Sequence, residues 1–292
     1  MTQLIEKVMR DTPTKARAIP ALSAAVGISR ATFYRQRQAT AVSRSAAETK
    51  RRQAIQQIAL EMTSYGHRPM TVALQRLGLP TGRDRVLRYM REAHLLCRPR
   101  RAFVATTDSQ HVFPVFPNLA RDLTVIRIDQ LWVADITYIQ LPKEMVYLAV
   151  LLDAYSRRAI GWALEKHMTT ELPLAALRMA LATRQIKAGL VHHSDRGKQY
   201  ACTAYISLLL KHQIRISMSR KGNPYDNAQA ERFIRTVKYE EVYLSDYQNL
   251  TEARASITHF IAEVYNRKRL HSALCYRPPA EFEELFSQPI VA

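Results

Sequence analysis

The chain is poor in cysteine: Cys97, Cys202 and Cys275 lie far apart with no C-x-x-C pair, which excludes a disulfide framework or a thiolate zinc knuckle. It has no apolar run of about eighteen residues, and Met1–Arg10 carries Glu6, Lys7 and Arg10 among its apolar residues. No membrane span or secretory segment is therefore expected, and the chain reads as cytoplasmic. With 8 glycines and 13 prolines in 292 residues it is neither collagen-like nor a linker. Its hydrophobic fraction of 47% and charged fraction of 23% describe a chain that folds. Acidic residues are also scarce, 25 against 43 Lys and Arg, and the resulting +18 attracts polyanions in a salt-dependent way.

The excess is unevenly spread. Residues 1–101 hold 20 basic and 6 acidic side chains, net +14, whereas residues 102–292 hold 23 and 19, net +4. Most of the N-terminal charge is arginine, suited to bidentate contact with phosphate and guanine. Residues 19–38, IPALSAAVGISRATFYRQRQ, read as a helix-turn-helix with Gly27 in the turn and Ser29 capping the second helix. That helix turns Phe33 to a core and presents Arg30, Thr32, Gln36 and Arg37. A helix over 47–62 follows, then a second basic helical pair over 65–96, broken at Gly78 and Pro80. There Val86, Leu87, Met90 and Leu95 form the core stripe, and Arg83, Arg85, Arg88 and Arg91 form a cationic face whose self-repulsion an anionic partner would relieve. The expected organisation is a helix-turn-helix domain over 1–44, a second such domain over 45–100, a linker over 101–125 carrying Pro114 and Pro117, a strand-containing core over 126–245, and a helical extension over 246–292.

Within the core the pattern predicts strands over 131–141, 146–153 and 159–164, a helix over 171–184, a strand over 189–193, a helix over 201–212, a strand over 214–218 and a helix from Asn227. Three meandering strands followed by alternating helices and strands imply an α/β core, a mixed five-stranded sheet flanked by helices on both faces. Three carboxylates stand out against it. Asp135 interrupts the apolar strand LWVADITYI, Asp195 ends LVHHSD, and Glu231 lies in NAQAERFIRTVKYE, with 35 residues between it and Asp195. An ionised group inside an apolar strand is costly unless a cation or another partner compensates it. Three oxygen donors without a thiolate suit Mg²⁺ or Mn²⁺, and two such ions roughly 3.5–4 Å apart support phosphodiester chemistry. Arg235 and Lys238 follow Glu231 at helical spacing, on the same face, and could hold phosphates.

These residues carry a resemblance. Asp135 in WVADITYI, Asp195 in HHSDRGKQY, Glu231 in SRKGNPYDNAQAERF, the 35-residue gap and Lys238 seven positions on are similar to the D,D(35)E pattern of transposases of the retroviral-integrase type. With LLDAYSRRAIGWAL and YNRKRLHSALCYRPPAEF, the chain most resembles the OrfB transposases of the bacterial insertion-sequence-three family. Ala134 stands where a hydroxyl residue is common there, and Cys275 where glycine is common. The resemblance implies an RNase H-like fold and an enzyme in which Asp135, Asp195 and Glu231 hold two Mg²⁺ or Mn²⁺ ions. It would cleave 3′ ends at terminal inverted repeats, transfer the strands by way of a circular intermediate, and act on double-stranded DNA as a homo-oligomer in a synaptic complex. An upstream OrfA product, or a fusion to it, is a further implied partner.

Other residues have structural readings. His192 and His193 at a strand end read as structural rather than as ligands, Asp153 as the cap of the AYSRR turn, and Asp226 or Asn227 as the cap of the Glu231 helix. For the basic cluster NRKRLH over 266–271, DNA contact and a solvated helix end weigh equally. The alternatives for the whole chain are a silent DNA-binding regulator or domesticated transposase, and a nuclease that cuts without joining.

Overall fold

The computed structural model describes residues 29–96, 115–220 and 224–287, with the side chains of residues 30, 32–45, 224 and 225 outside the description. The first expected helix, the Gly27 turn and most of the 101–125 segment lie outside the described residues. The chain forms two compact units, Met1–Cys97 and Arg98–Ala292.

In the first unit α1 (Arg30–Glu61) is one unbroken helix where the sequence suggests two. No Gly or Pro occurs between Arg30 and Glu61, so no residue forces a stop, and the helix runs through the boundary expected near residue 44. It packs on α2 (His67–Arg76) and α3 (Arg83–Glu92). Gly78, at φ +70°, ends α2: its N–H donates to Gln75 O and the Leu79 N–H to Leu74 O, closing the orphan carbonyls. Ile55, Met70, Leu74, Val86, Tyr89 and Met90 are the buried core. Tyr89, absent from the expected stripe, lies under the Arg52 guanidinium, 4.3 Å from its ring centroid, and Arg52 pairs with Glu92 at 2.7 Å. Arg83, Arg85, Arg88 and Arg91 are exposed.

The second unit is built on β1 (Leu131–Gln140), β2 (Met145–Asp153), β3 (Ala159–Glu165), β4 (Val191–Ser194) and β5 (Arg215–Met218). Their order is β3-β2-β1-β4-β5, with β1–β2–β3 antiparallel and β1–β4 and β4–β5 parallel, the mixed five-stranded sheet expected. Between β3 and β4 comes α4 (Glu171–Thr183), and between β4 and β5 come α5 (Lys198–Ala201) and α6 (Thr203–Lys211). After β5 come α7 (Ala228–Glu240), α8 (Leu250–His259) and α9 (Pro279–Ser287). Asn249 caps α8 by accepting the Glu252 N–H, while the Glu252 carboxylate accepts the Gln248 N–H, and the helix continues as a π-turn over Phe260–Tyr265.

Strand alternation sorts side chains onto two faces. Leu131 and Val133 join Val150, Leu152, Phe233, Val237, Ile257 and Phe260 on the face of α7 and α8, whereas Trp132 and Ala134 join Leu151, Leu177, Tyr205 and Leu209 on the other. The two layers are tight enough that a Cβ on Gly161 of β3 would lie 2.1 Å from the Ala176 carbonyl oxygen of α4. Residues 115–125, which the sequence assigns to the linker, pack Leu119, Ala120, Leu123 and Val125 on the α7–α8 side.

A buried polar network closes the turn after β2. Asp153 caps it as expected, accepting the Tyr155 and Ser156 N–H groups at 3.0 and 2.7 Å, and it also accepts the Asp129 N–H at 2.7 Å. Glu283 of α9 accepts from Ser156 Oγ, Arg158 and Arg184, each at 2.6 Å. This fastens the C-terminal helix to the β2–β3 turn.

Two predictions follow from this architecture. Cys275 is exposed and holds φ +53°, a left-handed conformation that costs a non-glycine residue about 1–2 kcal/mol. Cys275→Gly is therefore expected to stabilise the protein by about 0.5–1 kcal/mol in urea unfolding, after the extra backbone entropy of glycine is subtracted. His271 is half-buried with its Nε2 enclosed and unpartnered, and desolvation, Arg269 and Arg157 push its pKa down to about 3. Below pH 6.5 the unfolded chain takes up a proton that the folded chain refuses, so stability is complete above that pH and falls as pH drops. His271→Phe is expected to remove about 1.4 kcal/mol per pH unit of that loss between pH 6 and 4, measured as the difference between variant and parent unfolding.

Candidate active site

Asp135 lies in the middle of β1, opposite Val150 of β2. Continuing the Leu131, Val133 alternation, it takes the position where the α7-facing row first presents a carboxylate. The pairing of β1 with β4 ends at Val133, leaving the next edge carbonyl, Ala134 O, without a strand partner on that side. Asn227 fills the gap: its Nδ2 donates to Ala134 O at 3.0 Å. This corrects the capping role expected for Asn227, which precedes α7 without a side-chain cap bond and instead ties the start of that helix to the strand bearing Asp135. Asp226 is likewise drawn away, accepting from Arg220 and from Asn118 Nδ2, and the Arg220 guanidinium holds its pKa down at about 2.

Asp195 follows β4, the parallel neighbour of β1, so strand pairing alone brings the second carboxylate alongside the first. Its Oδ1 accepts the Gly197 N–H at 2.9 Å, and a Cβ at Gly197 would crowd that oxygen at 3.0 Å. Glu231 occupies the first turn of α7, where the helix dipole favours a negative charge, and its side chain is exposed.

The electrostatics link all three. Burial pushes Asp135 up to about 8, Asp195 and Glu231 push in the same direction, and only the Ile136 N–H and Lys238 oppose them. Glu231, though exposed, is raised by partial desolvation near the sheet, and Lys238 is lowered by burial while Asp135 raises it. Among the described residues no three His, Cys, Asp or Glu side chains lie close enough together to form a closed metal site, although the three carboxylates act on one another electrostatically. The donor set nevertheless fits a hard divalent cation: it is all oxygen, it is negative, and its most buried member is destabilised as an anion by its own neighbours.

Tyr200 is the residue that sequence reasoning missed. It is buried, its hydroxyl has no hydrogen-bond partner, and its pKa is raised by burial, by Tyr205, and by Asp135 and Asp195. Its only sequence signal is its place at the end of HHSDRGKQY. The neighbouring histidines are engaged inside the fold: His193 bonds Ser217 Oγ and Ser219 Oγ at 2.8 and 2.9 Å, and His192 Nε2 bonds the Tyr205 hydroxyl at 2.9 Å while its Nδ1 has no partner among the described residues. Burial lowers the pKa of both, that of His192 to about 3.

Of the candidate DNA contacts, Arg235 and Lys238 lie on α7 beyond Glu231, Arg235 exposed and Lys238 half-buried. Arg83, Arg85 and Arg88 are exposed on α3 of the other unit, while the side chains of Arg30 and Arg37 lie outside the described residues. The NRKRLH cluster divides. Asn266 exchanges hydrogen bonds with the backbone of buried Ala159, and Arg269 forms a two-pronged pair with Glu240 at 2.6 and 2.8 Å, leaving Arg267 and Lys268 exposed.

The integrase core domain family matches residues 127–224, a second integrase core family matches residues 212–279, and an HTH-like domain matches residues 46–103. The uncharacterized 31 kDa protein of insertion element IS600 from Shigella sonnei is 41% identical over 226 residues, covering 77% of this chain and 83% of that protein. The transposase InsF of insertion sequence IS3A from Escherichia coli K12 is 35% identical over 220 residues, covering 75% and 76%. The HTLV-2 integrase catalytic core solved with magnesium aligns with 53% of this chain and 95% of its own at 17% identity and a TM-score of 0.43, too distant to build on. Identity at this level over three quarters of the sequence, in a chain that carries both integrase core matches and the HTH-like match, means that the protein belongs to the IS3-family transposases.

Proposed function

We propose that this transposase moves DNA through a DDE-type, metal-dependent polynucleotidyl transfer in which Asp135, Asp195 and Glu231 are the catalytic carboxylates and the ligands of two Mg²⁺ or Mn²⁺ ions. The observation that carries the reading is the state of Asp135: a strand carboxyl pushed up to about 8 by burial, Asp195 and Glu231 is a poor anion until a cation joins it. Bound divalent ions would supply charge stabilisation for the attacking and leaving oxygens of an in-line displacement. The protein's own groups do the rest. Strands β1 and β4 fix the first two carboxylates side by side, and the Asn227–Ala134 bond sets α7 and Glu231 against them. Lys238, one helical face from Glu231 and in the field of Asp135, would hold the phosphate beside the scissile bond, with Arg235 behind it.

The reaction in this reading has two displacements. Water opens the phosphodiester at an element end and leaves a 3′-hydroxyl; that hydroxyl then attacks the phosphorus of a second phosphodiester, and the 3′-oxygen of the attacked strand leaves as a hydroxyl, so bonds broken and formed balance without a nucleotide cofactor. The basic N-terminal unit, with Arg83, Arg85 and Arg88 exposed on α3 and Arg30 and Arg37 on α1, would bind the terminal inverted repeats. Two ends have to meet, so a homo-oligomeric synapse is part of the proposal, and an OrfA product is the further candidate partner.

The test is to incubate the purified protein with Mg²⁺ or Mn²⁺ and a plasmid carrying the DNA that flanks its own gene, and to sequence 3′ ends and new junctions. Asp135→Asn and Glu231→Gln are expected to fold and bind DNA but to lose junctions by about a hundredfold or more; junctions at the parent level from either variant would overturn the assignment. Lys238→Ala is expected to form junctions more slowly and to show a salt dependence of core binding weakened by about one phosphate contact. Bound but uncut DNA with the parent protein would favour the regulator reading, and nicks without joints the nuclease reading.

A further inference from the structure

Beside the acidic cluster lies a set of aromatic rings for which the transfer chemistry has no use. Tyr138 is on β1, Tyr239 near the end of α7, and Tyr243 in the 3-10 turn Val242–Leu244 that follows. Tyr239 and Tyr243 meet edge to face, with centroids 5.3 Å apart and planes at 74°. Partial desolvation raises the pKa of the Tyr243 hydroxyl, and Tyr239 and Tyr138 act on it in the same direction. Two cations are set among them: the Arg235 guanidinium 5.4 Å from the centroid of Tyr239, and the Lys238 ammonium 4.6 Å from that of Tyr138. Tyr138 is 38% exposed and Tyr243 44%, a large area of ring to leave in water.

A protein partner and a nucleic acid are the two candidate occupants, and the charges decide between them. A protein would have to desolvate Arg235 and Lys238 or bring carboxylates into the field of Asp135, Asp195 and Glu231, which already repel one another. A polynucleotide satisfies both requirements, because its phosphates take the cations and its bases take the rings. Paired bases hide their faces in the duplex stack, so only an unpaired nucleotide can use this surface. Lys238 joins the surface to the carboxylates, since the ammonium over Tyr138 is also the one that acts on Asp135.

We infer that Tyr138, Tyr239 and Tyr243 form a stacking platform for unpaired nucleotides next to the phosphate being cut, with Arg235 and Lys238 holding the backbone on either side. The inference rests on the reading of the three carboxylates as the transfer site. It implies that the duplex is frayed at the element end when it is engaged.

The experiment uses the full chain and two fluorescent DNA probes of mixed sequence, a blunt duplex and the same duplex with a short single-stranded 3′ extension carrying 5-iodouracil. Irradiation is expected to attach the extension to Tyr138, Tyr239 or Tyr243, and 5-iodouracil inside the blunt duplex to none of them. By anisotropy, Tyr243→Leu and Tyr138→Leu should weaken the extended probe about tenfold and the blunt probe less than about twofold, while Tyr243→Phe, which keeps the ring, stays near the parent. Adducts that map elsewhere, leucine variants that bind both probes like the parent, or equal losses on the two probes would each overturn the platform. Junction formation by Glu231→Gln, run in parallel, keeps the two readings apart: joining that ignores Glu231 sinks the site itself, whereas Glu231-dependent joining with unaltered leucine variants sinks the platform alone.

Discussion

The cost of keeping a carboxylate charged in a partly dry place, increased by two carboxylate neighbours, is the constraint around which the second unit is built. A carboxyl in the middle of β1 could have been paired internally, as Asp153 is by three N–H donors at the other end of the sheet. Asp135 has the Ile136 N–H at 2.9 Å and a lysine at a distance, and two more carboxylates on the same side of the balance. Folding has to hold these groups near one another against their repulsion. Much of the surrounding structure is intelligible as the means of doing so: a parallel strand pair that fixes two of them by backbone geometry, and a helix carrying the third that is tied down near both ends.

The ties on α7 are polar and long-range. At its start, Asn227 completes the edge of β1, and Asp226 beside it is held by Arg220 and Asn118. At its end, the Glu240 carboxylate receives both prongs of Arg269, and both side chains are largely buried. Between them Phe233 and Val237 sit in the apolar layer, with Phe233 edge-on to Tyr265 at 4.6 Å. Glu231, Arg235 and Lys238 thus project from a helix clamped by packing on one face and by ion pairs at the ends, which is the stiffness a charge-positioning element needs.

What was legible in the sequence is what strand period and spacing encode. The strands, their order of types and the three carboxylates follow from alternation around LWVADITYI and from polar residues placed where an apolar row should continue. The Asp153 cap was legible because its partners lie two and three residues away. Asn227 was misread because a local cap is the default for an asparagine before a helix, and its real partner is 93 residues upstream. The basic run at 266–271 was ambiguous for the same reason: Arg269 faces inward for the sake of Glu240, 29 residues earlier, and Asn266 for Ala159, 107 residues earlier. Tyr200 left no pattern at all, since a tyrosine whose hydroxyl is buried beside carboxylates looks in sequence like any core aromatic. Cys275 is a different case. The departure from glycine was visible, but its meaning waited on the backbone angle.

The three side chains that lock the sheet and α7 from outside, Asn266, Arg269 and Glu283, all come later in the chain than every strand and later than α7 itself. During synthesis the five strands and the helix bearing Glu231 therefore emerge before the groups that fasten them. A ribosome-bound chain at that stage has its carboxylates and the Asn227 tie but not the later clamps, so the order of translation delays the rigid form of this carboxylate cluster until nearly all of the second unit has been made.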